Sequence, residues 1–201
     1  MFDYQFISSD VIRILCDSYV KYSPLEFQRS EGREFQGIMK YLTDKTGQNI
    51  HDNGTIEITS NSILNDDEKT YHPKHLVDYG INNYYHSKND KNFYICFDFK
   101  NFSVQLTGYS IKSSGYPKDD ERHLKSWIIE VSNNNTDDSW TIVDTKENDQ
   151  NLNEPNVAAF FTNEVQKNEF FRFVRLRQTG PHEYIFFPLI EFFGKLRSNA
   201  F

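Results

Sequence analysis

Polar turns divide the chain from residue 55 to residue 195 into eight short apolar runs, and this division limits the folds open to it. The runs are rich in Phe, Tyr, Val and Ile, which favour β-strands, and the stretches between them are rich in Asn, Asp, Gly and Pro, which favour turns. Many short strands and few helical patterns predict an antiparallel sandwich or barrel. The predicted strands are 55–59, 92–99, 103–114, 126–133, 140–145, 156–162, 170–178 and 184–195.

The last two runs are predicted to form two strands joined by a single turn, with Gly-Pro as the turn signal. In the first of them Arg172, Arg175 and Arg177 alternate with apolar residues. Such a row is typical of the solvated face of a strand, and a local basic patch is the alternative. The net charge of -7 argues against nonspecific binding of DNA or RNA, which needs a basic face.

Two helical patterns precede the strands. Residues 1–33 are predicted to be a separate helical segment, with a helix that begins near Asp10 and ends before Pro24. A second helix is predicted from Glu34 to Lys45, because apolar residues recur there at intervals of three and four positions. The β domain is therefore expected to occupy residues 34–201.

Several blocks of the chain resemble the factor V/VIII type C, or discoidin, domains of the galactose-binding-like superfamily. The blocks are LVDYGINNYYHS, FYICFDF, HLKSWIIEVSNNNTDDSWTIVD, FFRFVRLRQTG and LIEFFGKL, which together span about residues 35–196. The resemblance implies an eight-stranded jelly-roll β-sandwich. It looks closest to the subgroup found behind BTB and BACK domains in intracellular proteins, where FxGIMxYL and GxNIHDNGTI also occur.

In that family, loops at one end of the sandwich meet the ligand. Carried over to this chain, the resemblance implies a ligand-binding set of Asn82, Tyr84, Tyr85, Arg177 and His182. The two tyrosines lie in a long polar loop, so we expect them to be exposed. Two tryptophans, Trp127 and Trp140, begin predicted strands, and we expect them in the core rather than stacked on a sugar.

Some carbohydrate-binding relatives hold a structural calcium ion, and Asp78 and Glu191 match two of the positions that bind it. The threonine of that site is replaced here by Asn or Tyr. Calcium prefers six to eight oxygen ligands, and backbone carbonyls can supply some of them. The resemblance therefore leaves calcium as the one candidate cofactor.

No nucleotide-binding, metalloprotease, serine-hydrolase or CxxC motif is present, which argues against an enzyme. The carboxylate run Asp119-Asp120-Glu121 is expected to be a solvated turn. The favoured function is noncatalytic recognition of a protein or peptide by the loop end, and the resemblance suggests the substrate-recognition part of a BTB-type ubiquitin-ligase adaptor. The alternative is a carbohydrate-binding module.

The chain carries two cysteines, Cys16 and Cys96, in segments of different predicted structure. It opens without the basic and apolar regions of a secretory signal, and no apolar run is long enough to span a membrane. These features predict a cytoplasmic protein.

Overall fold

A computed structural model describes residues 23–80, 83–88, 93–118, 120–165, 167–180 and 184–199. Eleven β-strands lie in this part of the chain, and each of the eight predicted runs overlaps one or more of them. The predicted all-β fold class is confirmed. The strands are β1 Leu25–Phe27, β2 Glu57–Ser60, β3 Tyr85–His86, β4 Tyr94–Asp98, β5 Phe102–Lys112, β6 Trp127–Ser132, β7 Thr141–Lys146, β8 Ala158–Thr162, β9 Phe173–Gln178, β10 Phe186–Phe187 and β11 Leu189–Ser198.

Two antiparallel sheets form a sandwich. One sheet has five strands in the order β2-β4-β9-β6-β7, and the other has four in the order β1-β11-β5-β8. The short strands β3 and β10 pair with each other as a separate ribbon. This ribbon brings residues 85–86 beside the segment that leads into β11.

The last two long strands, predicted to be joined by a single turn, do not pair with each other. β9 lies between β4 and β6 in the five-stranded sheet, whereas β11 lies between β1 and β5 in the four-stranded sheet. The connection between them crosses from one sheet to the other and carries β10. Both strands turn an apolar face to the same core, so the apolar pattern looks alike whether they pair or face each other.

The core fills the space between the two sheets, where aromatic rings meet across the gap. Phe97 contacts Phe192 edge-on at 5.0 Å between ring centroids, and Trp127 contacts Phe161 in the same way at 5.1 Å. Trp127 is fully buried, as the sequence predicts. Trp140 is only half-buried on the outer face of the five-stranded sheet, so its predicted core position is corrected.

Within the described residues, two α-helices pack beside the sandwich. α1 spans Ile38–Thr46 and α2 spans Glu68–Tyr71, and 3-10 helices span Leu64–Asp66 and Pro73–Val77. α1 lies against β11 through three buried apolar side chains, Ile38, Met39 and Leu42. Its predicted start at Glu34 is four residues early, because the chain before Gly37 forms turns. None of the helices in the described residues is long and apolar enough to cross a membrane.

The predicted boundary between residues 33 and 34 does not separate the two parts of the chain. β1 lies within the expected helical segment, yet Leu25 pairs with Leu196 in the four-stranded sheet. The helix predicted near Asp10 lies outside the described residues. Residues 25–27 therefore belong to the sandwich.

Candidate functional site

A pocket of about 360 Å³ lies beside the β3–β10 ribbon, where three loops meet the end of the sandwich. Its volume falls in the range of about 300–1,000 Å³ that is usual for small-molecule sites. The residues that line it come from well-separated parts of the sequence: Leu64, His86, Glu121, Arg122 and Tyr184. The ribbon pairs His86 with Phe186, which brings the first and last of these loops together.

A continuous group of aromatic rings lies beside the pocket, and two of its members, His86 and Tyr184, line it. Tyr84 and Phe186 lie 4.1 Å apart between centroids, and Tyr71 contacts Tyr84 at 5.8 Å. The His86 ring lies within 6.0 Å of its neighbours Tyr71, Tyr184 and Phe186. We call these five residues, Tyr71, Tyr84, His86, Tyr184 and Phe186, the aromatic wall.

Arg122 is held rigidly at the pocket. Its Nε donates to Asp120 Oδ1 at 2.7 Å and its Nη2 to Asp120 Oδ2 at 2.6 Å, while its guanidinium carbon lies 3.3 Å from the centroid of the Tyr116 ring. The hydrogen bonds from Arg122 lower the pKa of Asp120 to about 2. The pair thus carries opposite charges at neutral pH, and stacking and hydrogen bonds fix the plane of the guanidinium.

His86 enters the pocket as a neutral ring with a defined tautomer. Its Nδ1 lies 2.8 Å from the backbone oxygen of Ser87 and must donate the hydrogen there. Burial lowers the pKa of His86, and the charge of Arg122 adds to the effect. The other ring nitrogen, Nε2, is then an acceptor at neutral pH.

The structure places the predicted ligand-binding residues in different environments. Tyr84 belongs to the aromatic wall. Tyr85 is fully buried, and its expected exposure is corrected: strand geometry turns it to the opposite face of β3, where its ring lies 6.2 Å from Phe187. Asn82 and His182 lie outside the described residues.

Arg177 does not reach the pocket through any contact in the described chain. It lies on the outer face of β9, where Nη2 donates to Glu130 Oε1 at 3.0 Å and Arg175 donates to the same carboxylate. Arg172 is paired with Asp98. The arginines therefore lie on the outer face of the strand with their own counter-ions. The predicted solvated face holds for Arg172 and Arg177, which are partly exposed. It is corrected for Arg175, which is nearly buried with Glu130 beneath the Trp140 ring.

Glu191, which the resemblance makes a calcium ligand, binds hydrogen-bond donors of the protein instead. It is fully buried, and its oxygens accept hydrogen bonds from the Met39, Lys40 and Phe192 amides and from the Tyr79 hydroxyl. It thereby satisfies donors at the N-terminus of α1, where a carboxylate is favoured. Burial raises the pKa of Glu191 despite these bonds.

Asp78 is also engaged within the protein. Its oxygens accept from Asn49 Nδ2 and Asn83 Nδ2 and lie 2.6 Å from His75 Nδ1. Burial alone would raise the pKa of Asp78, but these hydrogen bonds, led by that of His75, lower it below its usual value. In the described residues no three His, Cys, Asp or Glu side chains are grouped to hold a metal ion, and the calcium site stays a prediction.

The main polar contacts of the pocket, His86 and Arg122, are absent from the predicted set. The carboxylate run before Arg122 was predicted to be a solvated turn. No feature of the neighbouring sequence indicates that Asp120 binds Arg122 at a pocket that also contains the distant His86. The one usable signal was the Tyr116-Pro-Lys-Asp-Asp-Glu-Arg122 stretch, which places an aromatic ring and a cation in one loop.

No protein-family model and no curated protein matches the chain. Solved structures do. The F5/8 type C domain of a Bacteroides fragilis protein superposes with a TM-score of 0.56 at 16% identity, over 74% of this chain and 95% of that one. The fold is that of the F5/8 type C domains.

Two further discoidin-like structures were solved with sugars. CpGH89CBM32-5 of Clostridium perfringens, in complex with GalNAc-β-1,3-galactose, superposes with a TM-score of 0.52 at 12% identity, over 70% of this chain and 96% of that one. The family 32 CBM of C. perfringens NanJ, in complex with galactose, gives a TM-score of 0.51 at 14% identity, over 69% and 93%. The predicted likeness to the BTB- and BACK-associated subgroup is not shown by these three structures.

Proposed function

We propose that this discoidin-like domain is a carbohydrate-binding module and that the sugar occupies the pocket between His86, Arg122 and Tyr184. One observation carries the proposal: a planar donor, Arg122, a neutral acceptor, His86, and an aromatic ring, Tyr184, line one pocket, and further rings of the aromatic wall pack behind His86. A sugar ring presents apolar C–H faces that pack on aromatic rings, and hydroxyl groups that both donate and accept. The pocket offers each of these contacts.

The polar groups suit neutral hydroxyls better than an anionic ligand, because the Glu121 carboxylate also lines the pocket. Asp120 already occupies two of the five N–H donors of Arg122 and compensates its charge. The remaining donors keep a fixed direction because Tyr116 stacks on the guanidinium. Neutral His86 adds an acceptor at Nε2, so a vicinal pair of hydroxyls can donate to one residue and accept from the other.

The similar structures support this choice of ligand class. Two of the three named above are CBMs whose structures contain bound galactose or a galactose-containing disaccharide. The protein or peptide partner that the sequence favoured, and with it the BTB adaptor role, finds no support among them. The carbohydrate alternative is therefore the better supported function, and the role is binding rather than catalysis.

The proposal is tested by screening the purified domain on a glycan array and measuring hits by isothermal titration calorimetry. We expect a defined set of glycans to bind. Tyr184→Ala, which removes one ring of the wall, and His86→Phe, which keeps a ring but removes Nε2, should each weaken binding about tenfold. That factor corresponds to the loss of one contact worth about 1.4 kcal/mol.

Arg172→Ala is the matched control, because Arg172 is also ion-paired but on the outer face of the sheet. Its affinity for the same glycan should equal that of the unmodified domain. The proposal would be contradicted if the folded domain bound no glycan on the array. It would also be contradicted if Tyr184→Ala and His86→Phe left the affinity unchanged.

A further inference from the structure

Two loops are clamped together next to the aromatic wall. Asn49 Nδ2 donates to the backbone oxygen of Lys74 at 3.0 Å, and the Lys74 ammonium donates to Asp52 at 3.0 Å. The His51 and His72 rings, one from each loop, lie 4.8 Å apart between centroids. The turn at residues 49–54 therefore holds the segment that contains α2 and the following 3-10 helix.

Both histidines accept a backbone hydrogen bond through Nδ1. His51 Nδ1 accepts from the Ile58 amide at 3.0 Å, and Ile58 lies on β2, the edge strand of the five-stranded sheet. His72 Nδ1 accepts from the Lys74 amide at 3.0 Å and so caps the 3-10 helix that follows. An acceptor at Nδ1 requires an unprotonated nitrogen, so each ring must be neutral, with its hydrogen on Nε2.

Protonation of either ring would break its bond, because an N–H group would then face the backbone N–H. Two charged rings at this separation would also repel each other. Burial lowers the pKa of His51, and it lowers that of His72 to about 4, where the charges of His51 and Lys74 add to it. The titratable groups that face the two rings are Asp52, Glu57, Lys74, His75 and Lys100.

The clamped segment carries one member of the aromatic wall. Tyr71 is the last residue of α2 and directly precedes His72. Its ring contacts Tyr84 at 5.8 Å and His86 at 5.7 Å. Release of His72 would therefore release one end of the aromatic wall.

We propose that His51 and His72 form an acid-released clamp that keeps Tyr71 in the aromatic wall at neutral pH and frees it on acidification. The clamp would regulate ligand binding at the proposed site, and only this effect on affinity rests on the proposed function. Its effect on the two loops needs no ligand.

The clamp is tested by amide hydrogen exchange of Ile58 and Lys74 between pH 7.5 and 4.5. Relative to intrinsic rates, protection of these amides should fall about tenfold more than that of Val104, whose amide bonds to a backbone oxygen of the sandwich. Burial in the folded protein disfavours protonation of His51 and His72. The loss of amide protection should therefore begin below the ordinary histidine pKa of about 6.5 and continue as the pH falls to the lower pKa of the folded protein.

The double variant His51→Asn with His72→Asn keeps an acceptor oxygen near each Nδ1 but cannot titrate in this range. We expect it to remove the additional acid loss of protection at Ile58 and Lys74. Retention of the full loss in the folded variant would overturn the clamp. Nitrogen-15 NMR of the unmodified domain is an independent check, and a hydrogen on Nδ1 of either ring at pH 7.5 would also overturn it.

The binding arm uses whichever glycan the array identifies. Between pH 7.5 and 5 the unmodified domain should lose more affinity than the double variant, in which His86 is still free to titrate. Equal losses would show that the clamp does not reach the site. If no glycan binds, the exchange and NMR results still decide whether the clamp exists, while the proposed function fails separately.

Discussion

Replacing Tyr109 with Phe is expected to destabilise the domain sharply, because the Tyr109 hydroxyl joins three buried groups. It donates to Asp144 Oδ2 at 2.5 Å and accepts from Trp127 Nε1 at 2.8 Å. Tyr109, Trp127 and Asp144 are almost completely inaccessible to solvent. Burial and the neighbouring Asp144 carboxylate raise the pKa of Tyr109 far above its ordinary value, so the hydroxyl keeps its hydrogen at any working pH.

The size of the effect follows from the two bonds that are lost. A hydrogen bond to a charged group contributes about 1.5–3 kcal/mol, and a buried donor left without a partner costs about 1–3 kcal/mol. Asp144 keeps the Lys146 ammonium at 2.6 Å, so its charge is not stranded. The ring stacking of residue 109 on Phe161 is also retained. We expect a total loss of about 3–5 kcal/mol in the free energy of unfolding.

The measurement is urea unfolding followed by tryptophan fluorescence and circular dichroism at pH 7. Tyr94→Phe is the control, since Tyr94 is half-buried on the outer face of the sheet and its hydroxyl takes no part in this network. It should change stability by less than about 0.5 kcal/mol. A loss below about 1 kcal/mol for Tyr109→Phe would refute the idea that its hydroxyl holds these groups together.

Three further predictions concern the helix start and the pocket. Gly37→Ala should cost about 1–3 kcal/mol in urea unfolding, because a Cβ there would meet a backbone oxygen of β11 at 2.3 Å, whereas Gly115→Ala should be nearly neutral. Asp120→Asn should weaken glycan binding about three- to tenfold in calorimetry without lowering the melting temperature, since it loosens Arg122. The affinity for the glycan should be highest above pH 6.5 and should fall as the pH drops through the lowered pKa of His86, because protonation turns the acceptor Nε2 into a donor. An unchanged affinity at pH 4.5 would contradict this.

Strand positions were predictable because they depend on short-range composition. Every apolar run between turn residues became a strand within a few residues of its expected bounds. Which sheet each strand joins was not predictable from such patterns. β9 and β11 are neighbours in sequence with similar apolar faces, yet one crosses to the opposite sheet.

The site was harder to predict because its parts meet only after folding. The loop with Tyr84 was identified, but the two-residue strand β3 decides that Tyr84 joins the aromatic wall and Tyr85 points to the core. Arg122 and His86 are 36 positions apart in the sequence (122 − 86), and the fold places both at the same pocket. Charge compensation by Asp120 could not be read from a run of carboxylates.

The pairing of β1 with β11 has a practical consequence for handling the domain. Leu25 lies opposite Leu196, so the polypeptide reaches and leaves the four-stranded sheet at the same end. β11 has ten residues, which at about 3.4 Å each span about 30 Å, and the pocket residue Tyr184 comes just before the start of this strand. A fused reporter placed directly after β11 would therefore sit at the end of the sheet away from the pocket, which makes this attachment suitable for immobilising the domain without obstructing the proposed ligand.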